Sequence, residues 1–74
     1  MKANDLKAMI AALTQDIEFA FNGQAGSIIP ISHQDIGLSF GEKEETFNSI
    51  DAAMSAPFFN GASLSQIAET IELL

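Results

Sequence analysis

A chain of 74 residues holds one domain at most, and the absence of cysteine excludes disulfide scaffolds and thiolate zinc sites. Ten carboxylates stand against three lysines and no arginine, and the resulting net charge of −7 repels nucleic acid and anionic membranes alike. Apolar residues make up 47% of the chain, well above the disordered class, so a packed core is expected.

A domain of this size buries only about 60% of the surface its unfolded chain exposes. Without disulfides, stability has to come from good packing or from self-association. Met1-Lys2-Ala3-Asn4-Asp5 leads into an interrupted amphipathic run, not a continuous apolar one. No run approaches membrane-spanning length, and the expected setting is the cytoplasm.

Leu6, Met9, Ile10 and Leu13 fall at i, i+3, i+4 and i+7, one apolar stripe that predicts a helix over about residues 5–14. Asn4 is the candidate N-cap, and Asp5 suits the positive end of the helix dipole. The period then changes to two, with Ile17, Phe19 and Phe21 on one face of a strand. Asn22-Gly23 is a type I′ hairpin signal. That turn pairs Phe21 with Gln24, Phe19 with Gly26 and Ile17 with Ile28. Phe19 then covers a bare glycine backbone.

The returning strand is apolar on both sides and carries Pro30. In this register Pro30 sits opposite Gln15, beyond the first strand, where its missing N–H is not needed. Ile28 and Pro30 join the core face. Ile29 and Ile31 go to the opposite face with Ala20.

Ser32-His33-Gln34-Asp35 reads as a polar loop, and Ile36, Leu38 and Phe40 as the core face of a third strand. Gly41-Glu42-Lys43-Glu44-Glu45 reads as a charged turn, from which Thr46-Phe47 extends into a brief fourth strand. Asn48 or Ser49 caps a second helix with Ile50, Ala53 and Met54 inward, ended by Pro57. Phe58-Phe59-Asn60-Gly61 reads as a turn with an aromatic anchor. Ser63 and Gln66 match a capping box before a third helix over about residues 64–71. Leu73 and Leu74 pack at its end or form a last extended piece. The expected architecture is a single α+β domain over 1–74. It has an antiparallel meander of three to four strands and about three short helices on one face.

Chemistry-bearing patterns are sparse. His33, the only histidine, neighbours Ser32 and Asp35, but triads converge from distant positions with the nucleophile on a rigid elbow. Glu42, Glu44 and Glu45 lack the alternating oxygen ligands and the glycine of a calcium loop. Asp16 and Glu18 share a strand face without a cleft, and read as charges guarding a sheet edge. Gly23 and Gly26 lie in a hairpin and do not open a helix, so they form no phosphate cradle. The phenylalanines have no basic residues between them to make a base-stacking platform. No catalytic residue, cofactor or metal site is expected.

The segments "IEFAFNG" and "FNSIDAAMSAPFFNGASLSQI" resemble a group of short proteins of low-GC Gram-positive bacteria and their mobile elements. Its pattern is an Asn-Gly hairpin, a short helix, then "NG-x-SL-x-x-I". The resemblance implies an α+β fold and brings no activity.

The expected function is therefore a small acidic protein–protein interaction module without catalysis. It would act as a homodimer or with a protein partner through Ala20, Ile29 and Ile31. No nucleic acid or membrane is expected as a partner. The alternative is an inhibitor that mimics nucleic acid, which requires carboxylates at phosphate-like spacing on one surface.

Overall fold

The computed structural model describes residues 1–13 and 15–74. In chain order the elements are α1 (Ala3–Ala12), β1 (Ile17–Phe21), β2 (Gln24–Ser32), β3 (Asp35–Phe40), β4 (Lys43–Phe47), α2 (Ile50–Ser55), α3 (Leu64–Ile67) and β5 (Glu72–Leu73). The strands form one antiparallel sheet in the order β4-β3-β2-β1-β5. The α+β class holds, with five strands in place of three to four. The additional one is β5, where the chain end returns to pair Leu73 with Phe19 and Glu72 with Ala20.

The first hairpin has the register expected from its turn, with Phe21, Phe19 and Ile17 opposite Gln24, Gly26 and Ile28. Asn22 and Gly23 both take positive φ, 52° and 77°, as a type I′ turn requires. Pro30 lies two residues beyond Ile28, the last β2 residue paired with β1, so no β1 acceptor waits for its missing N–H. On the other side, β2 pairs with β3 and the register slips between Pro30 and Ser32. Ile31 is the extra residue of this bulge.

Period-two alternation puts Ile17, Phe19, Ile28, Ile36, Leu38 and Phe40 on one face, all buried. The three helices cover that face with Leu6 and Ile10 from α1, Ala53 and Met54 from α2, and Leu64 and Ile67 from α3. Phe59 is the centre of the aromatic part of the core. Its ring meets Phe19, Phe40 and Phe58 edge to face, at centroid distances of 5.7, 5.2 and 5.1 Å. Such pairs add roughly 0.5–1.5 kcal/mol each beyond their burial. The Asn60-Gly61 turn holds Phe59 in place through two backbone bonds between Phe59 and Ala62, at 2.9 and 3.0 Å.

Helix ends explain the differences from the expected spans. α1 starts at Ala3, and its N-cap is Lys2, which makes no side-chain cap bond. Asn4 lies inside the first turn and caps nothing. Leu13 is not part of the helix but its left-handed C-cap, at φ 55°. Thr14, the expected last helical residue, lies outside the described residues.

α2 is capped by Ser49, whose Oγ accepts from the Ala52 N–H at 3.0 Å. It stops at Ala56, the extended residue before Pro57. The capping box of α3 is complete. The Ser63 N–H donates to Gln66 Oε1 at 2.8 Å, and the Gln66 N–H to Ser63 Oγ at 3.3 Å. α3 ends earlier than its apolar stripe, and beyond it a turn forms in which the Ile67 carbonyl accepts from the Thr70 N–H, the Thr70 hydroxyl and the Ile71 N–H. That turn frees Glu72 and Leu73 to reach β1.

Candidate functional site

The polar candidates serve local structure. Ring atom Nε2 of His33 is 2.8 Å from the Ala11 carbonyl oxygen. A carbonyl only accepts, so Nε2 carries the proton and donates. This bond ties the β2–β3 turn to the last turn of α1. Ser32 Oγ accepts from the Gln34 N–H at 3.2 Å, within the same turn. Neither group is aimed at the other.

Lys43 is likewise engaged. Its ammonium donates to the Phe58 carbonyl at 2.7 Å and lies 4.8 Å from the centre of the Phe58 ring. It therefore forms no direct ion pair with the neighbouring Glu42, Glu44 or Glu45, although its charge remains among them. Among the described residues, no group of three or more histidines and carboxylates is placed to hold a metal ion. Asp16 and Glu18 are exposed at and before β1. β1 is not a sheet edge, because β5 covers it, so these two acids do not guard one.

The sheet face away from the helices carries Ala20, Ser27, Ile29, Gly37, Ser39 and Thr46, with Glu18, Glu44 and Glu72 beside them, none of them buried. Most are small, so nothing fills this surface from within. Two large apolar side chains stand on it. Ile29 is 36% exposed and Ile31, pushed outward at the bulge, is 67% exposed. Both border a groove of about 410 Å³ that runs across β3 to β4, where Glu44, Glu45 and Thr46 form the far wall.

Ala20 does not join them. It pairs with Ala25, and Ile29 lies four positions further along β2, which is about 13 Å of strand. The three expected patch residues thus share a face, but only Ile29 and Ile31 share a site.

The outer wall of that groove is β4, which extends the expected Thr46-Phe47 strand back through Lys43-Glu44-Glu45, in what reads as a charged turn. The turn itself is only Gly41-Glu42, and Lys43 to Phe47 pair with Phe40 to Ile36. The short β5 is one edge of the sheet and β4 is the other. The signal that could have found it is Gly41 directly after the apolar strand. A glycine in the first position suits a two-residue type II′ hairpin, and its φ is 61°.

No helix among the described residues is long and apolar enough to cross a membrane. Comparison with protein-family models, with curated proteins and with solved structures finds no match.

Proposed function

We propose that this chain is a small acidic protein–protein interaction module, acting in the cytoplasm without catalysis, with the Ile29 and Ile31 side of its sheet as the contact. The observation that carries this reading is the bare sheet face. Ile29 and Ile31 stand exposed on it beside a groove, while every helix packs on the other side. Burying such a side chain against a partner is worth roughly 1.5–3 kcal/mol. A non-catalytic role fits the engagement of Ser32 and His33 in local hydrogen bonds.

A protein partner fits better than a second copy. A two-fold pairing of this face would bury Glu18, Glu44 and Glu72 of both subunits in one interface with no lysine on that face to offset them, and like charges oppose that. Mimicry of nucleic acid fits less well than either. The carboxylates are spread over α1, the segment before β1, β1, the β3–β4 hairpin, α2, the turn after α3 and β5, on both sides of the sheet.

The test is cross-linked capture from the native cell, run side by side with the parent chain and the Ile29→Ser/Ile31→Ser variant. The parent is expected to retain a protein that the variant loses, with both folded by circular dichroism and both monomeric by light scattering. Identical captured sets would overturn the reading.

A further inference from the structure

The pairing register lays out the bare face of the sheet in rows. One row runs Glu18, Ser27, Ser39 and Glu44 across β1, β2, β3 and β4. The next runs Ile29, Gly37 and Thr46. Three strand spacings separate Glu18 from Glu44, about 14 Å between their Cα atoms. Between these two strands lie the small residues Ser27, Gly37 and Ser39, with Ile29 and the bulged Ile31 exposed toward one end. The face is thus a shallow trough along β2 and β3, with a carboxylate on either bank.

The cations stand elsewhere. The chain has three lysines and no arginine. Lys2 precedes α1, and Lys7 of α1 pairs with Asp51 of α2 at 2.6 Å. Lys43 alternates to the helix side of β4, where its ammonium lies over the Phe58 ring. Among the described residues, the bare face therefore carries Glu18, Glu44 and Glu72 and no lysine.

Width and charge select the occupant. An α-helix with its side chains is about 10–12 Å across, so it fits between Glu18 and Glu44 when it lies along the strands. From Ala25 to Ile31 the trough is about 20 Å long, which matches about thirteen helical residues. The helices of this chain cannot fill the trough of a second copy, because their apolar faces are buried in its own core. We propose that the trough takes an amphipathic helix of a partner protein. The aliphatic stripe of that helix lies on Ile29 and Ile31, and lysine or arginine residues on both flanks of the stripe reach Glu18 and Glu44. Their apolar stems lie along the floor while their charged ends meet the carboxylates. This rests on the reading of the chain as an interaction module. It names the partner's chemistry and adds Glu18 and Glu44 to the contact.

The test uses the full chain and a fluorescent peptide of about fourteen residues, a helix of leucine, alanine and lysine whose leucine stripe has lysines on both flanks. Fluorescence anisotropy measures binding. One control peptide has the same composition reordered so that the stripe is lost, and another carries a central proline that breaks the helix. The striped peptide is expected to bind at least about tenfold more tightly than either control. Ile29→Ser/Ile31→Ser and Glu18→Gln/Glu44→Gln are each expected to weaken its binding about tenfold or more. Asp5→Asn/Glu69→Gln removes the same charge from exposed positions in α1 and after α3, and should bind as the parent does. Circular dichroism checks each fold, and if one of the two contact variants fails to fold the other decides. Equal binding of a control peptide would overturn the proposal. An equal loss in the Asp5→Asn/Glu69→Gln variant would overturn it as well, by assigning the binding to net charge. Absence of binding would overturn it too, yet leave the module reading standing if the Ile29→Ser/Ile31→Ser variant still loses a captured protein.

Discussion

The ring of Phe19 lies against the bare backbone of Gly26, its partner across the β1–β2 ladder. A Cβ on Gly26 would sit 2.7 Å from Phe19 Cζ and 3.0 Å from the Ser39 carbonyl oxygen. Phe19 is fully buried and also meets Phe59 edge to face, so its ring has no room to retreat. Gly26→Ala is therefore expected to destabilise the domain by about 1–3 kcal/mol, the usual cost of overpacking. Urea denaturation of the two proteins measures it, and an unchanged midpoint would mean that the ring yields freely.

Gly23 presents the opposite case. Nothing lies within 4 Å of a Cβ built there, but its φ of 77° is one that β-branched residues resist. Gly23→Val is expected to cost about 1–3 kcal/mol through the backbone alone. Gly23→Asn should cost much less, since Asn tolerates left-handed φ. Equal losses for the valine and asparagine variants would show that space, not φ, is limiting.

The contrast between these glycines also shows what a sequence makes legible. The register of the first hairpin follows from two local facts: an Asn-Gly turn of two residues and a clean alternation of apolar positions. The side on which Ile29 and Ile31 stand follows from the same alternation. The fourth strand is legible only as Thr46-Phe47, and its first three residues escape such reasoning because an edge strand pairs through its backbone and Lys43-Glu44-Glu45 carries no apolar period. The start of α1 escapes because Lys2 caps it with no side-chain bond, while Asn4 offers a cap that is not used. The sequence groups Ala20 with Ile29 because a face is shared along a whole strand. The distance between them depends on the register of pairing.

Ile28 and Ile31 test the face assignment on one strand. Ile28 is fully buried and Ile31 is 67% exposed. Ile28→Ala is expected to cost about 2–5 kcal/mol. Ile31→Ala should stay within about 1 kcal/mol, since it loses mainly strand preference. Thermal denaturation of both variants gives the comparison. Similar losses would mean that Ile31 packs into the core.

Lys43 joins β4 to the segment after α2. Its ammonium holds the Phe58 carbonyl at 2.7 Å while lying over the Phe58 ring, and that ring meets Phe47 edge to face at 6.4 Å. Lys43→Met keeps the apolar stem and removes the donor, so the Phe58 carbonyl loses this partner. A charged hydrogen bond and an exposed cation–π contact together are worth about 1–2 kcal/mol here, after allowance for solvent. For a domain of this size that corresponds to a fall in Tm of roughly 4–8 °C for each kcal/mol. The contact is short and partly shielded, so most of the loss should persist at high salt. A variant as stable as the parent would show that Lys43 only rests on this loop. A loss confined to low salt would assign the effect to long-range attraction among the surrounding carboxylates instead of to the bond with Phe58.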